Sequence, residues 1–256
     1  MLVSDFEKAQ GHWILARMGK KVLRPGGRAL TQKLVSGLHI SNSDDVVEFA
    51  PGLGFTAGLA LAKHPHSYIG VDADEEAIAL LHKRINGDNI DFQLGNAAST
   101  QLEDNSKDKV YGEAMLTMHA DHRKSEIIKE AYRILKKGGL YAIHELGLKD
   151  VDEAMKSEVQ RDLALSIKVN ARPLTEDEWK TLLEKEGFRI KNIYTNKMSL
   201  LETKRVIEDE GFFRSLKIGW NILIHPAARK RITDMYRVFR KHKEHMNSIV
   251  IIAEKI

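Results

Sequence analysis

The chain of 256 residues contains no cysteine. That excludes disulfides, thiolate metal sites and every mechanism built on a cysteine nucleophile. It has no apolar run of about 18 residues, so no membrane-spanning helix is expected. Its opening, MLVSDFEKAQ, places acids where an export signal has a basic stretch and an apolar core, and the expected compartment is the cytoplasm. Internal repeats and low-complexity linkers are also missing. What is present is ordinary globular composition, 43% hydrophobic and 30% charged. This excludes disordered, collagen-like and coiled-coil classes. The length suits one α/β domain over 1–256 that carries a helical insert.

The formal net charge of +4 is unevenly placed. Residues 201–245 hold eleven Lys/Arg against six Asp/Glu, and the remainder is close to neutral. Such a segment reads either as a solvated helix face or as an anion or nucleic-acid patch.

The order of elements predicts the fold. Strands are expected at 45–50, 67–71, 90–94, 109–116, 140–144, 189–194 and 248–253. Helices are expected at 55–64, 75–86, 124–135 and 152–169, with another starting at Thr175 and ending near Gly187. Ala77, Ile78, Leu81 and Ile85 form one helical stripe, and Ile127, Ile128, Ala131 and Leu135 another. Strands alternating with helices imply a doubly wound, mainly parallel sheet covered on both faces. Residues 200–246 are expected to form a helical cap that precedes the last strand.

The strongest chemical signal is Glu48-Phe49-Ala50-Pro51-Gly52-Leu53-Gly54, a glycine loop between a strand and a helix. Its glycines allow close backbone approach, while Glu48 would repel a pyrophosphate and welcome a cationic ligand. Asp72 ends the next strand, 18 residues after Gly54. It is placed to bind a ribose diol or to cap the following helix. Asn96, with Gly95 and Ala97, follows the third strand and could read an adenine edge or simply turn the chain.

These features together resemble the class I S-adenosylmethionine-dependent methyltransferases over about residues 46–144. The resemblance implies a Rossmann-like seven-stranded sheet with an antiparallel last strand, and S-adenosylmethionine as cofactor. It implies cofactor contacts at Glu48, Ala50, Gly52, Gly54, Asp72, Ala73, Asn96, Ala97, Gly112 and Glu113, with residues 45–146 as the cofactor-binding core. Asn96 departs from the acid usual at that position. The resemblance places the acceptor beyond strands four and five, which makes Glu113, His119, His144 and Glu145 catalytic candidates. Residues 1–30, with His12, Trp13, Leu15 and Met18 on a helical stretch, would cover the cofactor. Arg24 or Arg28 could meet its carboxylate.

The pairs His119-x-x-His122, His242-x-x-His245 and His64-Pro-His66 lack companions for a metal site, and no metal is expected. The leading expectation is a small-molecule methyltransferase acting as a monomer or homodimer. Phe212, Phe213, Trp220, Ile222 and Leu223 would line a covered pocket. An RNA methyltransferase using 229–243 and a non-catalytic cofactor binder are the alternatives. Ile232, Met235, Tyr236 and Phe239 follow the spacing of a one-sided helix, and Pro226 marks its start.

Overall fold

The alternation of strands and helices is realised in a computed structural model, which describes residue 6 and residues 9–149, 151–198 and 200–256. Strand β1 (Asp45–Phe49) pairs in parallel with β2 (Ser67–Asp72) and β4 (Lys107–Glu113). Outward from these, β2 pairs with β3 (Ile90–Leu94) and β4 with β5 (Leu135–Leu148). The order is completed by β8 (Met246–Lys255) and β7 (Phe188–Lys197), giving β3-β2-β1-β4-β5-β8-β7. Among the described residues, only β8 runs against its neighbours.

Among the described residues the sheet has eight strands, not the expected seven. The addition is β6 (Leu174–Thr175), two residues long. The last β4–β5 pair is Glu113 with His144, so beyond His144 that edge of β5 is open. There Gly147 pairs with Leu174 and Leu148 with Thr175. A two-residue strand has no periodicity to read, and the extension of β5 past 144 creates its site.

Strand parity divides the core. Val47 and Phe49 face one layer, packed by α5 (Asp121–Ile134) and α7 (Glu176–Lys185) through Ile127, Ile128, Trp179 and Leu183. Val46 faces the other, packed by α2 (Gly27–Gly37), α3 (Phe55–Leu61) and α4 (Glu75–Arg84). Thr175 starts α7 with a capping box. Its side chain accepts from Glu178 N at 3.3 Å, and Glu178 Oε2 accepts from Thr175 N at 2.8 Å.

The insert is three helices: α8 (Thr203–Glu210), α9 (Phe212–Ile224) and α10 (Pro226–Lys241). Pro226 opens the first turn of α10, where its missing N–H costs nothing. Helix α10 lies on α6 (Glu153–Ile167) and α1 (Gly11–Arg17). Lys241 bridges to Glu158 at 2.6 Å and Asp162 at 2.7 Å, and His242 meets Asp162 at 2.9 Å. Arg231 donates to the carbonyls of Phe6, Ala9 and Ser166. Part of the segment's positive charge is therefore spent inside the chain.

Met235 is buried as expected, but Tyr236 is exposed, so the buried stripe of α10 is narrower than its spacing suggested. The expected pocket residues of α9 are a larger correction. Phe212, Phe213, Trp220 and Leu223 point to solvent, Phe213 with 85% exposure. Helix α9 is held by its other side, where Ile218 is buried, Ile222 is packed, and Asn221 donates to Met18 O at 2.9 Å. Side-chain chemistry does not fix which face of a helix turns inward when a hydrogen bond and neighbouring helices select it. Among the described residues, no helix is long and apolar enough to cross a membrane.

Candidate active site

The strand order reverses between β1 and β4, and at such a point the adjoining loops diverge and leave a crevice. Both strands are followed at once by a left-handed residue, Ala50 (φ 55°) and Ala114 (φ 54°). The cavity here measures 1020 Å³. Its floor is the loop Ala50–Leu53, with Asp72 and Ala73 past β2, Asn96 and Ala97 past β3, and Glu113 to Met115 at the end of β4. The N-terminal segment supplies His12, Trp13, Lys21, Leu23 and Arg24 as the opposite wall. Helix α8 holds that segment down: Glu210 accepts from Lys21 N and Val22 N at 2.7 and 2.8 Å, and Asp209 from Arg28 N at 2.9 Å.

Asp72 shapes the glycine loop. Its Oδ2 accepts from Gly52 N at 2.9 Å and its Oδ1 from Asp74 N at 3.0 Å. Each oxygen keeps a lone pair for a ligand hydroxyl. Burial raises its carboxyl above the ordinary aspartate value, opposed by these backbone N–H groups. The cap of α4 is Asp74, accepting from Ala77 N at 3.1 Å, which leaves Asp72 to the cleft. Gly52 adopts φ 55°, and a Cβ there would meet no atom nearer than Ala50 O at 4.0 Å, so the loop leaves room for a ligand against its backbone. Asn96 lines the cleft, but its Oδ1 already accepts from Arg123 Nη2 at 2.6 Å and Ala98 N at 3.0 Å. It offers a ligand its NH₂ group, not the free acceptor expected.

Four other residues are placed elsewhere. Glu48 shares strand parity with Val46 and turns into the α2–α4 layer. There it accepts from the hydroxyls of Tyr68 and Tyr111, and burial pushes its carboxyl up to about 7. It does not line the cavity. Gly54 caps α3 at φ 78°, where a Cβ would lie 2.6 Å from Leu81, so its role is packing. Gly112 is enclosed by Met115 and Phe49 within the sheet. Arg28 is exposed outside the cleft, whereas Arg24 reaches it.

Three catalytic candidates have no spare valence. Glu113 touches the cavity wall, yet its carboxylate accepts from Arg24 Nε, Thr56 Oγ1, Thr31 Oγ1 (2.8 Å) and His144 Nδ1 (2.7 Å). Burial pushes its carboxyl up, but Arg24, His144 and Thr56 together hold it down at about 2. A carboxylate so depressed is a poor base. His144 is fully buried, and its Nε2 accepts from Gly26 N at 3.3 Å. Glu145 faces the other layer. It is also fully buried, and it accepts from the backbone N–H of Met115, Leu116 and Thr117 and from the Thr117 hydroxyl. These groups fix the ends of β4 and β5.

A family model described as a methyltransferase domain matches residues 47–143. A protein of Haemophilus influenzae, described as uncharacterized, is 36% identical over 250 residues, covering 96% of this chain and 98% of its own. The crevice at the β1/β4 reversal and the matched domain decide the family. The chain belongs to the class I methyltransferases. Among solved structures, the [4+2]-cyclase SpnF superposes on this methyltransferase with a TM-score of 0.72 at 16% identity, over 99% of this chain and 93% of that one. A protein from Galdieria sulphuraria assigned as a sarcosine dimethylglycine methyltransferase superposes with a TM-score of 0.69 at 16% identity, over 96% and 84%. At these identities the agreement is one of fold.

Of the four catalytic candidates, His119 alone lines the cleft with an unsaturated side chain in this methyltransferase. Burial lowers its basicity, and Arg123 and Lys124 lower it further. His242 lines neither the cleft nor the smaller cavity beside it. Glu158, Asp162 and His242 are near enough to suit a metal, but Lys241 already pairs with both carboxylates. Sequence reasoning missed Arg123, Asn170 and the position of His12. For Asn170 no sequence signal existed. Arg123 sits one turn into the helix after β4, and His12 on a short helix among apolar residues, patterns also found on plain surface helices.

Proposed function

We propose that this methyltransferase transfers the methyl group of S-adenosylmethionine to a small-molecule acceptor. The observation that carries this reading is the cleft at the strand reversal, with Asp72 holding the glycine loop by one side of its carboxylate while facing the cavity. A volume of 1020 Å³ suits a nucleoside joined to an amino acid plus an acceptor. Asp72 would bind the ribose hydroxyls, the Asn96 NH₂ and the Ala97 backbone the adenine edge, and Ala50 to Gly52 the remainder. Arg24 spends its Nε on Glu113, so its terminal nitrogens are the donors it offers the ligand's carboxylate. When bound, the cofactor supplies a methyl group on a sulfonium, which needs alignment with a nucleophile more than it needs activation.

In this reading residues 9–30 are a lid, held by Asp209 and Glu210, and residues 200–246 are a cap that excludes water; residues 1–5, 7 and 8 of the expected lid lie outside the described residues. The internal use of Arg231 and Lys241 favours a cap over a nucleic-acid arm. Calorimetry with S-adenosylmethionine and S-adenosylhomocysteine tests the cofactor. Retention of the protein on RNA at low salt, lost as salt rises, would reverse the choice of acceptor class.

A further inference from the structure

Beside the cleft lies a second cavity of 90 Å³. Its walls come from the cap and its supports: Leu163 and Ile167 of α6, Met198, and Met235 and Phe239 of α10. Three lining side chains are polar: His12, Thr117 and Glu145. Thr117 Oγ1 donates to Glu145 Oε2 at 2.7 Å, and the other Glu145 oxygen is held by two backbone N–H groups. That leaves His12, which borders both cavities. Its ring lies 5.4 Å from that of Trp13. The site is tightly built on that side. A Cβ on Gly11 would come within 2.6 Å of Met235 Sδ, so this glycine lets α1 press against α10 and brings His12 to the mouth.

We propose that this chamber is the acceptor site, that it takes an uncharged aliphatic chain or branch bearing a protic nucleophile such as a hydroxyl or thiol, and that His12 receives the nucleophile's proton. The proposal rests on the methyltransferase reading above. Apart from these three side chains the wall is carbon and sulfur, which rejects charge. The volume is below the roughly 150 Å³ that admits benzene, which favours a chain over a ring. Methionines let the wall adjust to chain shape. Asp72 and Asn96 assign the nucleoside to the β2–β3 side, and the chamber opens on the opposite side, at Ala114 and Met118 past β4. Burial lowers His12's basicity more than Asp74 restores it, so the ring is neutral and able to accept a proton at pH 7. The nucleophile's lone pair forms the bond to the methyl carbon as its proton passes to the His12 ring nitrogen. The electron pair of the broken carbon–sulfur bond stays on sulfur, and the imidazolium returns the proton to water.

The test is calorimetric titration of the protein, with and without S-adenosylhomocysteine, by straight-chain 1-alkanols from butanol to octanol. Affinity should tighten about fourfold per methylene until the chamber is full, then level off. Leu200→Trp, which fills the chamber from a half-buried wall position, should weaken alkanol binding at least tenfold and leave S-adenosylhomocysteine binding unchanged. No dependence on chain length, or no effect of Leu200→Trp, overturns the acceptor site. With 1-alkanethiols as acceptors, His12→Gln should keep the binding series and lower methyl transfer by about a hundredfold or more. Unchanged transfer overturns the role of His12. A protein that binds alkanols this way but not S-adenosylhomocysteine would sink the cofactor reading and leave the chamber standing.

Discussion

Glu113 was expected to serve the reaction, and the structure makes it a joint. It connects the N-terminal segment (Arg24), α2 (Thr31), α3 (Thr56) and β5 (His144) through one carboxylate. Glu113→Ala would strand the guanidinium of the buried Arg24 without its counter-ion, and leave the Thr56 and His144 donors without that acceptor. Breaking a buried ion pair from one side costs about 3–5 kcal/mol. For a chain of this size that corresponds to a fall in Tm of roughly 6–20 °C. Circular dichroism melts of the wild type, Glu113→Ala and Glu113→Gln read it directly. The pH dependence gives a second, independent reading. The folded carboxyl sits at about 2 against an ordinary 4.5, so the folded state binds the proton less tightly than the unfolded chain. The resulting stabilisation, about 3 kcal/mol, is complete above 4.5 and is lost as pH falls toward 2. The gap between wild type and Glu113→Gln should therefore narrow by about that amount over this window. A Glu113→Ala protein melting within 2 °C of wild type, or a gap independent of pH, would refute the joint, since about 1 kcal/mol would then be its upper limit.

Glu48 has the opposite sign. Its folded carboxyl lies near 7, so ionisation works against the fold, and Glu48→Gln should gain stability relative to wild type by about 3 kcal/mol as pH rises from 4.5 through 7. Urea titrations at several pH values measure this, and a constant difference would contradict the burial argument. Asp72→Ala removes a charged acceptor worth about 1.5–3 kcal/mol and releases Gly52, so S-adenosylmethionine affinity should fall roughly ten- to a hundredfold. Unchanged affinity with the fold intact would take Asp72 out of the site. Met235→Ala empties the contact between α10 and α1 and should cost about 2–5 kcal/mol. Phe213→Ser, on the solvent side of α9, should stay within about 0.5 kcal/mol of wild type. Equal losses in the two would mean that α9 is turned the other way.

The sequence by itself determined what depends on local order. The alternation of strands and helices, the glycine loop with its strand before and helix after, Asp72 at the end of β2, the Thr175 cap and the Pro226 break all follow from neighbours in the chain. Each is set by periodicity, capping or φ, and these act over a few residues. Tertiary structure decided what depends on which face turns inward. Glu48 and Asp72 are both acids at strand ends, yet strand parity sends Glu48 to two tyrosines and the loop geometry keeps Asp72 at the cleft. Glu113, His144 and Glu145 have the chemistry of acid–base catalysts, and their partners come from positions up to 118 residues away. Those partners consume every lone pair a base would need. The two-residue β6 exists because β4 stops before β5 does. Helix α9 shows its apolar face to solvent because Asn221 and Ile218 dock on the N-terminal segment. His12, by contrast, has an unremarkable local sequence. Its place between the two cavities was decided by a glycine contact with Met235, 224 residues further along the chain.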